Sequence, residues 1–351
     1  MQSTGPRYRP LGDDLSPKEA DEILGEAWRT REMTNNSPPQ PPRRLLRVAD
    51  LTQLELERLL DLAAEIKVDP LRLADSQHHR LLACIFERPS TRTRLAFAAA
   101  AYRLGMHPMV LSSTDLQLGR GEPIADTARA ISAYVAAVVI RTASHELIDQ
   151  FARAASVPVV NALSDEHHPC EAIAALMTIR ERFGRLKGLK VAYVGDSNNV
   201  ATSLVEAAVM AGMRVAVASP PGYGLPARIV AEAEFQTAQS GGDIAVTTNK
   251  QVAVQGAHVV YTDAWVSMAT EDEADARRQA FEAYRVDTNL MQGADREAVF
   301  LHCLPARRGE EVQAEVIDGP RSLIWTLVAN HLPAEQAIIS WLLRARIDSV
   351  A

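Results

Sequence analysis

Short apolar runs alternate with helical segments from residue 45 onward, and this alternation constrains the fold more than any other feature. The apolar runs of the first series are 81–86, 109–112, 137–140 and 157–161, and those of the second are 189–194, 213–218, 243–246, 259–261 and 298–302. Strands that alternate with helices form parallel sheets covered by helices on both faces. The sequence predicts an α/β protein with two doubly wound domains with parallel sheets, connected by long helices.

The domain boundaries follow from where the two series meet. A long helical stretch over 168–183 ends at Gly184, and the second series begins after Gly188. A chain of 351 residues is long enough for two such domains. We expect a first domain over 45–184, a second over 185–328, and a C-terminal helix (329–351, helical from about 333 to 346) that packs back on the first domain.

Residues 1–44 form an N-terminal extension. Ser16 and Glu19 are spaced as a capping box with Pro17 between them, and apolar residues recur at helical spacing from Ala20 to Trp28. Prolines crowd residues 38–42 and predict an extended linker. This short helix could dock on the body or on a neighbouring subunit, or remain a mobile tail.

Composition excludes several classes of protein. The net charge is −7, basic residues are dispersed and aromatic residues make up 5%, which argues against a nucleic-acid partner. No apolar run reaches membrane-spanning length, so no membrane association is expected. The cysteines Cys84, Cys170 and Cys303 lack disulfide or zinc spacing, which predicts reduced thiols, a cytoplasmic location and no bound metal.

Residues 86–94, Phe-Glu-Arg-Pro-Ser-Thr-Arg-Thr-Arg, follow a predicted strand and precede an alanine-rich helix over 95–104. Ser90, Thr91, Arg92 and Arg94 place hydroxyls, backbone N–H groups and two guanidinium groups at a helix N-terminus, where a phosphate dianion binds well. A capped helix with solvated arginines is the alternative. The run offers more donors than a cap needs, which favours an anion site.

Three further motifs follow in order: His-Pro-Cys-Glu at 168–171, Asp-Ala-Trp-Val-Ser-Met at 263–268 and His-Cys-Leu-Pro at 302–305. Together with Ser-Thr-Arg-Thr-Arg they resemble the aspartate/ornithine carbamoyltransferase family, its ornithine branch in particular, from about residue 45 to 345. The resemblance implies transfer of the carbamoyl group of carbamoyl phosphate to the side-chain amine of L-ornithine, giving citrulline and phosphate without a cofactor. It also implies a homotrimer, or a multiple of one, with sites at subunit interfaces.

The resemblance assigns carbamoyl phosphate to the first domain and the C-terminal segment. His168, Arg141 and Thr93 would polarise the carbamoyl oxygen, and Gln117 would reach into a neighbouring subunit's site. Taken alone, Arg141 could be a surface arginine and His168 a helix-start residue. The implied set is Ser90, Thr91, Arg92, Thr93, Gln117, Arg141, His168, Glu171, Arg307 and His331.

The resemblance assigns the amino acid to the second domain. The implied ornithine-binding residues are Asn161, Asn199, Asp263, Ser267, Met268, Cys303 and Leu304. The asparagines suit an α-carboxylate, whereas Asp263 and Ser267 suit an α-ammonium. Cys303 and the Leu304 carbonyl would orient the attacking amine, Asp263 would help to deprotonate it, and Arg141 and His168 would complete the catalytic set. The family uses direct amine attack, so Cys303 is not expected to be a nucleophile.

The Gly195–Asn199 turn follows a strand and opens a helix, but it lacks the G-x-G-x-x-G pattern of a dinucleotide site. Adjacent asparagines at a helix start can instead cap the helix and bind a carboxylate. The sequence therefore points away from a nucleotide cofactor at this turn.

The chain departs from the family pattern at the phosphate side. Glu171 stands where the family has glutamine, and His331 stands where it has arginine. A carboxylate only accepts hydrogen bonds, and a histidine is expected to be mostly neutral at pH 7, so the site would lose up to two positive charges. Arg307, where the family has histidine, would partly restore the balance. Ala98 and Ala269 replace a glutamate and a glycine of the pattern.

These departures leave three interpretations open. The first is an ornithine carbamoyltransferase with a variant phosphate site. The second is a relative that carbamoylates another amine, such as a diamino acid or a peptide-borne amine in secondary metabolism. The third is a non-catalytic amino-acid-binding relative. The retained ornithine set favours the first over the second. The retained Arg92, Arg141 and His168 argue against the third.

Overall fold

Two five-stranded parallel sheets with helices around them make up the protein, in a computed structural model that describes residues 42–74, 76–88, 90–112, 116–117, 121–266 and 271–344. The helix and most of the proline linker expected in the N-terminal extension lie outside the described residues. The prediction of two doubly wound α/β halves is confirmed.

The first sheet has the strand order β1-β5-β4-β2-β3, and every pairing in it is parallel. Its strands are β1 (Arg44–Leu45), β2 (Leu81–Phe86), β3 (His107–Ser112), β4 (Ala137–Arg141) and β5 (Val159–Leu163). The central strands are buried on both faces and read as continuous apolar runs. Two-residue β1 was not predicted, because it is too short to show a periodic pattern.

Five helices surround the first sheet, and two of them, the first and the fourth, start at a side chain that caps the helix. They are α1 (Gln53–Val68), α2 (Arg92–Arg103), α3 (Ile124–Ser132), α4 (His145–Ala154) and α5 (Pro169–Phe183), with a 3-10 turn at Val48–Asp50. Thr52 and Glu55 form a capping box at α1, and Gly184 ends α5 in a left-handed conformation (φ 70°). The predicted helix over 95–104 begins earlier, at Arg92, which puts the basic residues of the run in its first turn.

The second sheet has the order β10-β9-β6-β7-β8 and is also parallel throughout. Its strands are β6 (Lys190–Val194), β7 (Arg214–Ala218), β8 (Asp243–Thr247), β9 (Val259–Thr262) and β10 (Val299–His302). Its helices are α6 (Asn199–Met210), α7 (Ala227–Ser240), α8 (Lys250–Val254), α9 (Ala274–Phe281), α10 (Thr288–Gln292) and α11 (Ala314–Ile317), with 3-10 turns at Glu271–Glu273 and Glu282–Tyr284.

The last helix, α12 (Ile324–Arg344), packs against α1, α2 and α5. The prediction that it starts near Pro333 is wrong, because Pro333 lies inside the helix. Proline usually marks a first helical turn, but here the turns before it are held by packing of Ile324 and Leu327 in the core. Among the described residues no helix is both long and apolar enough to cross a bilayer.

Candidate active site

The sequence motifs lie where strands end. Arg141 ends β4, Asp263 follows β9 and Cys303 follows β10, while Arg92 opens the helix that comes after β2. The Arg92 Nη2 atom donates a hydrogen bond to the Leu304 carbonyl at 2.6 Å. Within each sheet, the parallel strands point their carboxyl ends to the same edge of that sheet. This hydrogen bond joins the motif after β2 to the one after β10.

The first turn of α2 forms a cationic surface. Thr91 precedes the helix and makes no side-chain capping hydrogen bond, so its hydroxyl is not used in capping. The Arg141 Nη1 atom donates to Thr93 Oγ1 at 3.1 Å. Burial, and then the charge of Arg92, lower the pKa of Arg141. Two guanidinium groups that repel each other at a helix N-terminus form a site that a phosphate dianion would stabilise.

The loop that follows Arg141 is fixed by the carboxylate of Glu87. Thr142 Oγ1 donates to Glu87 Oε2 at 2.5 Å, and the Ala143 backbone N–H donates to the same oxygen at 2.8 Å. The hydrogen bond from Thr142 lowers the pKa of Glu87, so the carboxylate stays ionised. These two hydrogen bonds hold the backbone that directly follows Arg141.

His168 precedes α5 and faces the same cations. Its backbone N–H donates to Ser203 Oγ at 2.7 Å, while its buried Nδ1 has no hydrogen-bond partner. Burial lowers the pKa of His168 to about 3, and Arg141 and Arg92 act in the same direction. The imidazole is therefore neutral near pH 7 and can donate a hydrogen bond without being a cation.

Asp263 is the centre of the acceptor side. Its Oδ1 accepts from Cys303 Sγ at 2.9 Å and from the Ala264 N–H at 2.8 Å, and its Oδ2 accepts from Asn198 Nδ2 at 2.7 Å. Asn198 also caps α6 by accepting from two backbone N–H groups. The family motif assigned ornithine binding to Asn199 and did not include Asn198. The position of Asn198 at the start of a helix that follows a strand was nevertheless visible in the sequence.

Cys303 is held as a thiol. Burial raises the pKa of Cys303 well above its usual range, and the neighbouring Asp263 raises it further. A thiolate is the nucleophilic form of cysteine. The environment of Cys303 therefore makes it a hydrogen-bond donor to Asp263. The next residue, Leu304, has a positive φ of 59° and presents its carbonyl to Arg92.

Arg277 supports the acceptor side from α9, and nothing in the motifs pointed to it. Its Nε donates to the Trp265 carbonyl at 2.6 Å, and its guanidinium pairs with the Asp196 carboxylate. The same guanidinium lies over the Tyr223 ring, 5.1 Å from its centroid. Burial raises the pKa of Asp196 to about 6, against the effect of Arg277. Arg277 thus ties the loop after β6 to the loop after β9.

Glu171 and His331 form a buried ion pair. Glu171 Oε1 accepts from the Tyr261 hydroxyl at 2.7 Å, and Oε2 lies 3.0 Å from His331 Nε2. Burial would raise the pKa of Glu171, but the charge and hydrogen bond of His331 lower it to about 2. Burial would lower the pKa of His331, but Glu171 and then Glu335 raise it to about 10.

The expectation that His331 is mostly neutral at pH 7 is therefore wrong. Its closer carboxylate partner, Glu171, is far away in the sequence, so the shift could not be foreseen from residue type. With His331 charged, the change from the family's glutamine and arginine to Glu171 and His331 removes one positive charge from this site, not two.

Some expected ligand contacts are not assembled here. Asn161 is fully buried, and its Nδ2 donates to the carbonyls of Leu46 and His167, so it supports backbone. Arg307 lies 3.5 Å from the carboxylate of Glu310.

Asn199, Ser90 and Gln117 complete the described part of the expected set. The Asn199 Nδ2 donates to the Ser164 carbonyl at 2.5 Å. Ser90 is partly buried and Gln117 is exposed, while Ser267 and Met268 lie outside the described residues.

One group of side chains has the composition of a metal site. Donor atoms of Asp263, His302 and Cys303 lie within 4.8 Å of one another. However, His302 Nδ1 accepts from the Leu304 N–H at 2.8 Å, and its Nε2 is 3.2 Å from Glu311. With both ring nitrogens of His302 engaged in these contacts, the histidine has no free lone pair for an ion.

Comparison with known proteins agrees with this geometry. Residues 43–181 match the family described as aspartate/ornithine carbamoyltransferase, carbamoyl-P binding domain, and residues 187–342 match its Asp/Orn binding domain. An ornithine carbamoyltransferase from Acidothermus cellulolyticus is 50% identical over 296 residues, 84% of this chain and 95% of the relative.

Solved structures show the same relationship. Ornithine carbamoyltransferase from Pyrococcus furiosus is 43% identical with a TM-score of 0.83, covering 87% of this chain and 98% of that one. An N-acetyl-L-ornithine transcarbamylase is 29% identical with a TM-score of 0.77, covering 85% and 99%. The matched domains together span most of the described residues, and the convergent strand ends carry the motifs of both. The chain belongs to the aspartate/ornithine carbamoyltransferase family.

Proposed function

We propose that this protein is an ornithine carbamoyltransferase, which transfers the carbamoyl group of carbamoyl phosphate to the side-chain amine of L-ornithine and releases citrulline and phosphate. The observation that carries the proposal is the hydrogen bond from Arg92 to the Leu304 carbonyl, which brings a two-arginine anion site against the Asp263–Cys303 pair. A transferase must hold its two substrates side by side so that the reacting atoms can meet.

The anion side would hold carbamoyl phosphate and stabilise the leaving phosphate. Ser90, Thr91 and the N-terminus of α2 would supply neutral donors, and Arg92 and Arg141 the charge. Arg141 also donates to Thr93. With neutral His168, these groups would polarise the carbamoyl oxygen as negative charge builds on it.

The acceptor side would bind and orient the amine. The Asp263 carboxylate is ideally placed for an ammonium group, since Cys303 and Asn198 hold both of its oxygens in position. The amine must lose a proton before it attacks, so we expect the rate to rise with pH. Asn161, Ser267 and Met268 remain proposed ornithine contacts from the family motif, and Asn161 is fully buried.

We assign residues 45–184 to the carbamoyl phosphate domain and 185–328 to the amino-acid domain, with 329–351 as the returning C-terminal segment. The two family matches, over 43–181 and 187–342, support a division near Gly184. The second family match extends to residue 342 and includes most of α12, whereas the proposed amino-acid domain ends at residue 328.

A homotrimer, or a multiple of one, follows from the family, and an exposed apolar surface supports it. Leu95 and Tyr102 of α2 are 66% and 79% exposed, and Met109 and Val110 on edge strand β3 are also exposed. Exposed Gln117 would then reach a neighbouring site. Light scattering coupled to gel filtration tests the trimer; a monomer at assay concentration would contradict it. We also propose a cytoplasmic location, which the free thiols of Cys84, Cys170 and Cys303 support.

The test of the function is a product assay by mass spectrometry with carbamoyl phosphate and a panel of amines. The panel holds ornithine, N-acetylornithine, lysine, putrescine and 2,3-diaminopropionate. Citrulline from ornithine, formed much faster than any other product, is the expected result. A faster product from another amine would support a relative with a different acceptor. No product from any amine, together with carbamoyl phosphate binding by calorimetry, would support a non-catalytic relative.

A further inference from the structure

A chain of charged side chains runs from the site into the core along α5 and α12. His331 Nε2 lies 3.0 Å from Glu171, and His331 Nδ1 lies 3.5 Å from Glu335, one helical turn away. Glu171 and Glu335 are buried and His331 is nearly so. Both ring nitrogens of His331 thus face carboxylates, the closer being Glu171 and the farther Glu335, and two carboxylates favour a charged imidazolium between them.

We propose that Glu171 and His331 act as one charged pair at the anion site, in which the carboxylate keeps the imidazole protonated and the imidazolium keeps the carboxylate from repelling phosphate. This inference rests on the proposed function, since it assigns the pair to carbamoyl phosphate binding. Both are positioning residues in this scheme, because His331 reaches the site through Glu171.

The position of Glu171 connects the pair to the substrate site. Glu171 lies one turn after His168 on α5, on the same face of the helix. Its charge acts on Arg141, on His168 and on Cys303. Glu171 is buried, so an unneutralised carboxylate here would repel a bound dianion with little screening by water. The protonated His331 therefore reduces the repulsion between Glu171 and the phosphate group of the substrate.

The groups around the pair leave few sources of titration near neutral pH. Burial and neighbouring carboxylates raise the pKa of Tyr261, Cys84 and Cys170, which stay neutral. His168 is neutral above its pKa of about 3. Burial raises the pKa of Glu335 to about 7.

Two basic groups complete the charged surroundings of the pair. The Arg141 guanidinium interacts with Glu171, and Lys67 of α1 donates to Glu181 and to the Asn330 side chain. Deprotonation of Glu335 as pH rises adds a negative charge beside His331, which favours the imidazolium further. His331 is therefore expected to lose its proton only well above neutral pH.

If Glu171 and His331 act as a buried pair, their single and double variants should differ from those of two residues that act independently. Removing one partner leaves an uncompensated buried charge, whereas replacing both with neutral groups is much milder. The variants are Glu171→Gln, His331→Gln and the double Glu171→Gln/His331→Gln, measured for carbamoyl phosphate affinity by calorimetry and for kcat and KM. Glu181→Gln is the matched control, since Glu181 lies on the same helix in a partly exposed pair with Lys67.

His331→Gln should weaken carbamoyl phosphate binding by about a hundredfold, because it isolates the Glu171 carboxylate. The double variant should recover to within about tenfold of the parent, and Glu181→Gln should be silent. Losses that simply multiply in the double variant would overturn the proposal. His331→Arg in the Glu171→Gln background should also restore affinity; thermal melts confirm that each variant is folded.

The charge of His331 is read directly by its imidazole 15N chemical shifts, assigned with His331→Gln. In the ligand-free parent, His331 should stay protonated to at least about pH 8, and in Glu171→Gln it should begin to titrate at lower pH. A neutral His331 at pH 7 in the parent would overturn the proposal. This measurement needs no substrate, so its failure is distinct from an enzyme that makes no citrulline.

Discussion

The two sides of the site handle charge in opposite ways. On the anion side, Arg92 and Arg141 repel each other, and neither has a carboxylate partner among the described ion pairs. On the acceptor side, Asp263 is already satisfied by Cys303 and Asn198. The anion side thus gains most when its ligand binds, whereas the acceptor side is organised in advance and gives selectivity by geometry.

The sharpest test of this contrast is Arg141→Ala. It removes a cation aimed at developing charge, so kcat/KM should fall by about a thousandfold or more. Steady-state citrulline formation measures the loss, and added guanidinium ion should recover part of it. The control is Arg129→Ala, which breaks an exposed pair with Asp126 on α3 and should have no effect. A loss below tenfold would show that Arg141 is peripheral.

Asp263→Asn tests the acceptor side. The amide keeps the shape but removes the charge that attracts an ammonium, so the KM for ornithine should rise by about a hundredfold. Carbamoyl phosphate affinity by calorimetry should stay within a few-fold of the parent, because the anion side does not depend on this carboxylate. Equal loss of both affinities would erase the distinction between the two sides.

Cys303→Ser gives a smaller effect. A hydroxyl still donates to Asp263, so the variant should keep activity within about a hundredfold of the parent. A nucleophilic thiol would give near-complete loss, and rapid-quench kinetics would reveal a covalent carbamoyl-enzyme. Cys170→Ser, in the buried core, is the matched control for folding.

The smallest expected effect is on stability in acid. Burial lowers the pKa of His167 and of His168 to about 3, so between about pH 3 and 6.5 the unfolded chain binds protons that the folded chain does not. The folded state therefore gains stability as pH rises through this window. The melting temperature should rise by several degrees from pH 4.5 to 6.5 by scanning calorimetry.

His167→Gln should flatten this rise, and a curve unchanged in that variant would assign the acid limb elsewhere. His167 serves here because it lies outside the proposed substrate contacts, 3.7 Å from Glu206. His258, which is more exposed and whose pKa burial also lowers, is the comparison variant and should flatten the slope less when replaced by glutamine.

Much of the fold was predictable because strand and helix signals are local. All nine predicted strands are present, and α5 ends where Gly184 predicted. The failures have tertiary causes. Strand β1 is held in register by β5, and the turns of α12 before Pro333 are held by packing against α1 and α5.

For the site, the sequence by itself determined the residue types: two arginines and hydroxyls after β2 and β4, and Asp263 and Cys303 after β9 and β10. Motif spacing carries that information because each strand end lies beside its own loop. Only the tertiary structure decided the protonation of His331, the support of Asp263 by Asn198 and the tie from Arg277 to Asp196. Those properties depend on burial and on charges brought together from distant parts of the chain, and neither is a property of a residue alone.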